Sequence, residues 1–566
     1  MTRSVRLRPW QKRALDRLAE TAGPDFLAVA TPGAGKTTFA LTAARIELAK
    51  RGLRRLIVVV PTQHLKSQWA DAAARFDLAL DTDWSASRGL PADVHGVVVT
   101  YQQVAANPAA LRPLADRSFA VFDEIHHLGD DRAWGAAVLE GFGGAARRLS
   151  LSGTPFRSDT RAIPFVRYRL DEAEADFEYG YADALREGGV VRPVYFPRLN
   201  GEMEWTAPDG SMHRATFEDP LDRQLANQRL RTALSAEGEW LAAVLGQAHR
   251  ELLAARQRQP DAGGLVIAMD QDHARAIAAL MQTRLGTRVV VATSDDPEAS
   301  QRIARFSRSD VPWIVAVRMV SEGVDIPRLR VGVFATNTTT ELFFRQAVGR
   351  LVRWVPGAGR QFAYLFIPDD VRLRTYAHQL ADARRHSLRK RSEDSDRADQ
   401  EPDPTTLDAQ GEPEQLSLFA ALSATPVGST ELLTPPSTHD GQSGHDSYRG
   451  AGMDPLDGEE DGAEANRSHE DSGLLLTLAP LPVLLSAPVG GAAVTVGQQR
   501  DERRKLRELN AALVAELVAR TGWPHSKVNA ELNQRAGIRK VTEATSSQLQ
   551  QRVDRGRRWL DELRRR

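Results

Sequence analysis

Between Phe26 and Thr154 five short apolar runs, FLAVA, RLIVVV, GVVVT, FAVFDE and RRLSLSG, alternate with stretches of helical spacing. Runs this short and apolar on both faces read as buried strands, and their rhythm is that of a parallel sheet covered by helices. The same rhythm returns after Gly263 in GLVIAMD, RVVVAT, WIVAV, VGVFATN and FAYLFIP. Two α/β units follow: residues 1–195 as the first, 196–260 as connector and start of the second, 261–390 as its remainder. From about Arg391 the strand-like runs give way to Asp, Glu, Pro, Ser and Gly, the composition of a disordered acidic linker over residues 391–500. A basic, helix-patterned block then runs from Asp501 to Arg566, with 16 Lys+Arg against 9 Asp+Glu.

The formal net charge of +0 conceals a strong asymmetry, because Arg391 to Pro480 holds 20 Asp+Glu and 4 Lys+Arg, so this segment is −16 and the remainder +16. A basic body beside an acidic tail favours a polyanionic partner, although an acidic tail also serves solubility alone. With no cysteine, disulfides and thiolate zinc sites are excluded. Only 8 of the 74 basic residues are Lys, a bias that reads as codon usage in a GC-rich, bacterial genome. Met1 to Trp10 has no apolar run fit for a signal peptide, so a cytoplasmic, nucleoid-associated location is expected. The uncharged stretch Ser472 to Gln499 is long enough to span a bilayer, but Pro480, Pro482, Pro488 and Gly490-Gly491 would break such a helix repeatedly. A linker or a docking strand is the expectation there.

ATPGAGKTT follows the strand-like FLAVA and opens a helix pattern, the setting of a phosphate-binding loop. Thr31, Pro32, Gly33, Ala34, Gly35, Lys36, Thr37 and Thr38 form it. The glycines let backbone N–H groups curl round phosphates, Lys36 reaches the terminal ones, and the Thr37 hydroxyl can hold magnesium. Ala30 stands where the strict pattern has its first glycine. At the end of a later strand, Asp123 can orient magnesium while Glu124 polarises the attacking water of phosphoryl transfer.

Eight motifs occur in order from Leu7 to Asp369: LRPWQ, TPGAGKT, PTQHLKSQW, TYQQ, DEIHH, SGTPFR, SEGVDIP and RQAVGRLVR. Together they resemble a superfamily 2 helicase, in the branch of xeroderma-pigmentosum-B-type repair translocases and restriction-type ATPase subunits. The resemblance implies two RecA-like parallel-sheet domains with ATP and magnesium in their cleft and single-stranded nucleic acid crossing both. It implies that Gln11 reads the adenine with Trp10 packed beside it. Gln346, Arg350 and Arg353 would come from the second domain, the arginines stabilising charge on the transferring phosphate. Gly323 and Asp325, with Ser152 and Thr154, resemble the elements that link nucleotide state to strand contact. Thr62, Gln63, His64, Thr100 and Tyr101 resemble first-domain contacts to the nucleic-acid backbone, and Arg318 the opposite side. Such contacts grip phosphates without reading sequence.

The resemblance favours DNA over RNA as the polymer. A nuclease of the Asp/Glu-x-Lys type is not expected, since none of the eight lysines has an acidic residue two positions before it. The rival from another class is an ATP-gated clamp or scaffold that hydrolyses slowly. The basic block from Asp501 reads either as a helical module that grips nucleic acid or as a solvated bundle with arginine-rich edges. Within the acidic segment, Gln415, Leu416, Ser417, Leu418 and Phe419 resemble the peptide by which bacterial proteins hook onto the replication sliding clamp; the alternative is one amphipathic turn folded back on the motor domains.

Overall fold

The computed structural model describes residues 3–50, 52–85, 89–129, 132–153, 162–169, 172–207, 209–293, 296, 298–317, 326–355, 361–393, 420–432, 474–479 and 496–565. The chain divides into two compact units. One comprises Met1–Ala30, Gly35–Glu178 and Leu474–Arg566, the other Thr31–Ala34 and Tyr179–Gly473.

The first unit is built on a seven-stranded sheet, ordered from edge to edge Phe177–Tyr179, Asp25–Ala30, Arg147–Ser152, Ser118–Phe122, Arg55–Val60, Gly96–Thr100 and Leu80–Asp81. All five apolar runs of the first half are strands of this sheet, and their pairings are parallel. Alternate residues of these strands, among them Leu27, Val29, Ile57, Val59, Val97, Val99 and Phe122, share one core. Such strands are buried on both faces, as continuous apolar runs require. Because the strands are parallel, their carboxyl ends line one edge of the sheet, where an α/β fold places its ligand.

The second unit carries a nine-stranded sheet whose main path is Met212–Thr216, Pro197–Thr206, Ala363–Pro368, Leu329–Ala335, Gly263–Ala268, Trp313–Ala316 and Val289–Ala292. Val194–Tyr195 lies parallel to Ala363–Tyr364. The five later apolar runs supply the parallel strands. The polar excursion around Gly201 is the hairpin of Pro197–Thr206 with Met212–Thr216. It alternates buried and half-buried positions, the period-two pattern of a strand with one solvated face. The expected boundary at residue 195 compares with a division at Glu178/Tyr179, because Val194 to Thr206 pairs into the second sheet.

Two stretches of the expected linker are strands. Ala420–Leu432 runs antiparallel along Pro197–Thr206 in the second unit, with Ala424 in its core. Leu474–Leu478 pairs antiparallel with Arg3–Leu7 in the first, and the Arg45 guanidinium donates to the Ala479 carbonyl at 2.8 Å. That apolar stretch is therefore a docking strand where it is described, and no described helix is long and apolar enough to cross a membrane. The clamp-like peptide Gln415–Phe419 lies outside the described residues.

The carboxyl-terminal block forms the helices Val496–Thr521, His525–Ala536 and Ser546–Arg565. Leu513, Leu517, Val528, Leu532, Trp559 and Leu560 close its core. Within the first unit it is docked by charge. Arg503 pairs with Asp93, Arg507 lies 3.5 Å from Asp81 and 3.8 Å from Asp83, and the Ser546 N–H donates to Asp93 at 3.1 Å. The Asp93 carboxylate thus sits at the start of the last helix, where the helix dipole favours negative charge.

Candidate active site

Asp25–Ala30 delivers the phosphate loop, and the helix Lys36–Lys50 begins directly after it. Gly33 and Gly35 have φ of 83° and 95°, a backbone region that side-chain-bearing residues rarely adopt. A Cβ at Gly35 would also lie 2.8 Å from the Gln11 amide nitrogen. Gln11 owes its place to the helix Pro9–Glu20: its Oε1 accepts from the Arg8 N–H at 2.9 Å, and its Nε2 donates to the Gly35 carbonyl at 3.0 Å. The amide therefore spans from its own helix start to the loop.

Lys36 Nζ stands 3.1 Å from Glu124 Oε1 and 3.3 Å from the Ala30 carbonyl. Glu124 follows the strand Ser118–Phe122 in a left-handed conformation, φ 48°, which costs a non-glycine residue energy and persists only where surroundings hold it. Those surroundings are Lys36 and the Gly153 N–H, which donates to Glu124 Oε2 at 2.9 Å. Burial works against ionisation of Glu124, yet Lys36, His126 and the Gly153 N–H outweigh it and hold the carboxyl below the usual carboxylate range. Burial also acts on Asp123, and with the Glu124 charge beside it lifts that carboxyl above its ordinary value. Trp69 Nε1–H donates to Asp123 Oδ2 at 2.7 Å, and the Tyr101 hydroxyl donates to the Asp123 main-chain carbonyl at 2.9 Å. His126 Nδ1 lies 3.2 Å from Ser152 Oγ. SGTP and DEIHH, at the ends of neighbouring strands, are thereby joined by two hydrogen bonds.

Residues 4–157 match the family described as type III restriction enzyme, res subunit. The chain belongs to helicase superfamily 2. The chain is 42% identical over 578 residues to an uncharacterized protein of Mycobacterium tuberculosis, covering 97% of the chain and 92% of that protein. The DNA 3'-5' translocase XPB2 of Sulfurisphaera tokodaii is 26% identical over 377 residues, which cover 62% of the chain and 79% of the translocase. Among solved structures, one described as a fragment of an HsdR subunit of a type I restriction enzyme from Vibrio vulnificus aligns with TM-score 0.47 at 18% identity, over 66% of the chain and 65% of that fragment.

The superfamily 2 motifs of the first unit are not all placed as the sequence suggests. Trp10 is fully buried, 5.7 Å from Phe39 and 6.2 Å from Phe177 between ring centroids, so it braces the helix that carries Gln11 instead of lying open to a base. Tyr101 is fully buried against Trp134 and supports Asp123, which leaves no surface for a nucleic-acid backbone. Thr100 is buried as well, and its hydroxyl caps the next helix by accepting from Gln103 N–H at 3.2 Å. Thr62, Gln63 and His64 stay at least partly accessible at the start of the helix Gln63–Ala74. In the second unit Gln346 and Arg350 lie on the helix Glu341–Leu351, but Arg353 is beyond its end, in a bridge with Val191. The three-residue spacing of the arginines therefore does not put them on one helical face. Thr154, Arg318, Gly323 and Asp325 lie outside the described residues. Trp69, in PTQHLKSQW, is buried, and its N–H holds Asp123. A buried tryptophan must place its N–H, and that was the available signal.

Proposed function

We propose that this chain hydrolyses ATP with magnesium and couples turnover to movement along nucleic acid, DNA in preference to RNA. The observation that carries the reading is the grouping of Lys36, Asp123 and Glu124, with the Lys36–Glu124 pair at 3.1 Å. Thr37 and Asp123 offer a hydroxyl and a carboxylate, hard oxygen donors that fit magnesium and keep room for phosphates and water. When bound, the ion would neutralise charge on the phosphates. Arrival of the terminal phosphate draws Lys36 off Glu124, and the freed carboxylate orients the attacking water. Gln346, Arg350 and Arg353 are the second unit's candidates for charge stabilisation. Partial similarity to a DNA translocase supports DNA, and the setting proposed is repair, replication or genome defence.

The test is ATPase rate without polymer and with single-stranded DNA, forked DNA and RNA, for the parent and Glu124→Gln. Turnover should rise most with DNA, and Glu124→Gln should retain ATP binding while losing on the order of a hundredfold or more in rate. Hydrolysis by Glu124→Gln at the parental rate would remove Glu124 from the role. Slow hydrolysis that no polymer accelerates would favour the ATP-gated scaffold.

We also infer a sliding-clamp partner through Gln415, Leu416, Ser417, Leu418 and Phe419, which fit the preferred hook pattern at five positions just before the strand Ala420–Leu432. An extended peptide can insert Leu418 and Phe419 into an apolar pocket while its tether raises local concentration. Leu418→Ala/Phe419→Ala should abolish binding to the cognate clamp and leave ATPase rate unchanged; equal binding by the double variant removes the hook.

A further inference from the structure

Arg192 is fully buried at the head of the second unit, and its guanidinium donates to main-chain carbonyls. Its N–H donates to the Val352 carbonyl at 2.8 Å. Its guanidinium donates through Nη1 to the Leu329 carbonyl at 3.1 Å and through Nη2 to the Pro327 carbonyl at 2.8 Å. Pro327 closes SEGVDIP, and Val352 lies within RQAVGRLVR. One residue thus ties together two motifs that are 25 positions apart at these two residues. The neighbouring Val191 forms an antiparallel bridge with Arg353 itself.

The segment that carries Arg192 is clamped along its length. The Val194 N–H donates to the Tyr181 hydroxyl at 2.9 Å, and Arg384 donates to the Val194 carbonyl at 2.7 Å. The Ala363 N–H donates to the Pro193 carbonyl at 2.9 Å. Among the described residues no carboxylate is hydrogen-bonded to Arg192, and the nearby charges that act on it, Arg330 and Arg353, are positive. A planar fork reaching two carbonyls is rigid in a way an aliphatic chain or an ammonium is not.

We infer that Arg192 is a positioning residue for the ATPase reaction, holding the end of SEGVDIP and the main chain at Arg353 in fixed register. The inference rests on the ATPase reading above. Arg192 touches no substrate; it acts through Arg353. Other arginines among the described residues also cap carbonyls away from these motifs. Arg256, for example, donates to the carbonyls of Ala262 and Asp310, which belong to neither motif. What sets Arg192 apart is that it joins the motif carrying Arg350 and Arg353 to the one that resembles an element linking nucleotide state to strand contact.

The test is steady-state ATPase with saturating single-stranded DNA on the full chain, as a double-mutant cycle of Arg192→Met and Arg353→Ala, with Arg256→Met as the architectural control. Arg192→Met should lower kcat by about ten- to a hundredfold with KM for ATP nearly unchanged, the loss expected from misplacing a group that acts in the transition state. Arg192→Lys should fall between it and the parent, and Arg256→Met should keep the parental kcat. In the Arg353→Ala background Arg192→Met should cost nothing further, because residues acting as one unit are not additive. If Arg192→Met fails to fold, Arg192→Lys carries the same cycle. Parental kcat in the Arg192 variants, or independent multiplicative losses in the double variant, overturns the inference alone. A parent with no ATP turnover overturns the ATPase reading and this inference with it.

Discussion

Trp69 is a side chain whose packing and chemistry cannot be separated. Its indole N–H at 2.7 Å from Asp123 is a hydrogen bond to a buried carboxylate, worth about 1.5–3 kcal/mol. Trp69→Phe keeps the ring and removes the donor, so kcat of the proposed ATPase reaction should drop about ten- to a hundredfold while far-UV circular dichroism stays unchanged. Titrating magnesium in the same assay should show the variant needing more of it; an unaltered rate and magnesium dependence would reduce Trp69 to packing. His95 offers a second residue-scale test. Burial, with Arg45 and Arg55 nearby, lowers it to about 4, and its Nδ1 accepts from the Ala79 N–H at 3.0 Å. Its ordinary value is 6.5, so below that pH the unfolded chain binds the proton first. Stability is therefore complete above pH 6.5 and lost as pH falls toward 4, by at most about 3 kcal/mol. Urea midpoints at pH 7 and pH 5 should separate for the parent and converge for His95→Asn. The motif residues Lys36 and Glu124 were legible because their spacing to glycines, strand and helix is local. The tasks of Tyr101 and Trp69 were not, since each depends on Asp123, 22 and 54 residues away.

Elements show the same division between local pattern and distant partner. The ten apolar runs were readable as buried strands from their own sequence. Ala420–Leu432 was not, because its flanks are acidic and its partner is Pro197–Thr206, hundreds of residues earlier; for Leu474–Leu478 a docking strand was one of two expectations, but its partner Arg3–Leu7 was hidden. The basic carboxyl-terminal block was legible as helices, but its attachment was hidden: Arg503 and Arg507 are spent on Asp93, Asp81 and Asp83. Replacing Asp93 removes both the partner of Arg503 and the acceptor for the Ser546 N–H. Asp93→Ala should therefore speed amide exchange in the helix Ser546–Arg565 about five- to tenfold, roughly the effect of losing a 1 kcal/mol cap. Exchange in the strand Gly263–Ala268 should be unchanged, and raised salt should narrow the difference between parent and variant. Equal exchange in both proteins would mean that apolar packing alone seats the block.

At the scale of the whole molecule the first unit is discontinuous. Its nucleotide-loop portion ends at Glu178, and it is completed by Leu474–Arg566 after the second unit has intervened. Leu7 and Leu478, paired across that interval in the strands Arg3–Leu7 and Leu474–Leu478, are both buried. Residues 1–178 alone should consequently melt at lower temperature than the same residues supplied with 474–566, and the added segment should bind them in trans; equal melting temperatures would show that the late segments are ornament. Such non-local pairing delays completion of a fold. At about 5–20 residues per second, the ribosome needs about 20 to 80 s to pass from Tyr179 to Arg566. During that interval the acidic edge at Asp81, Asp83 and Asp93 is without its arginines, and Arg3–Leu7 is without its partner strand. A chain broken off before Leu474 therefore lacks both the strand that covers Arg3–Leu7 and the arginines that meet Asp81, Asp83 and Asp93, so that its earliest-made residues are the ones left unfinished.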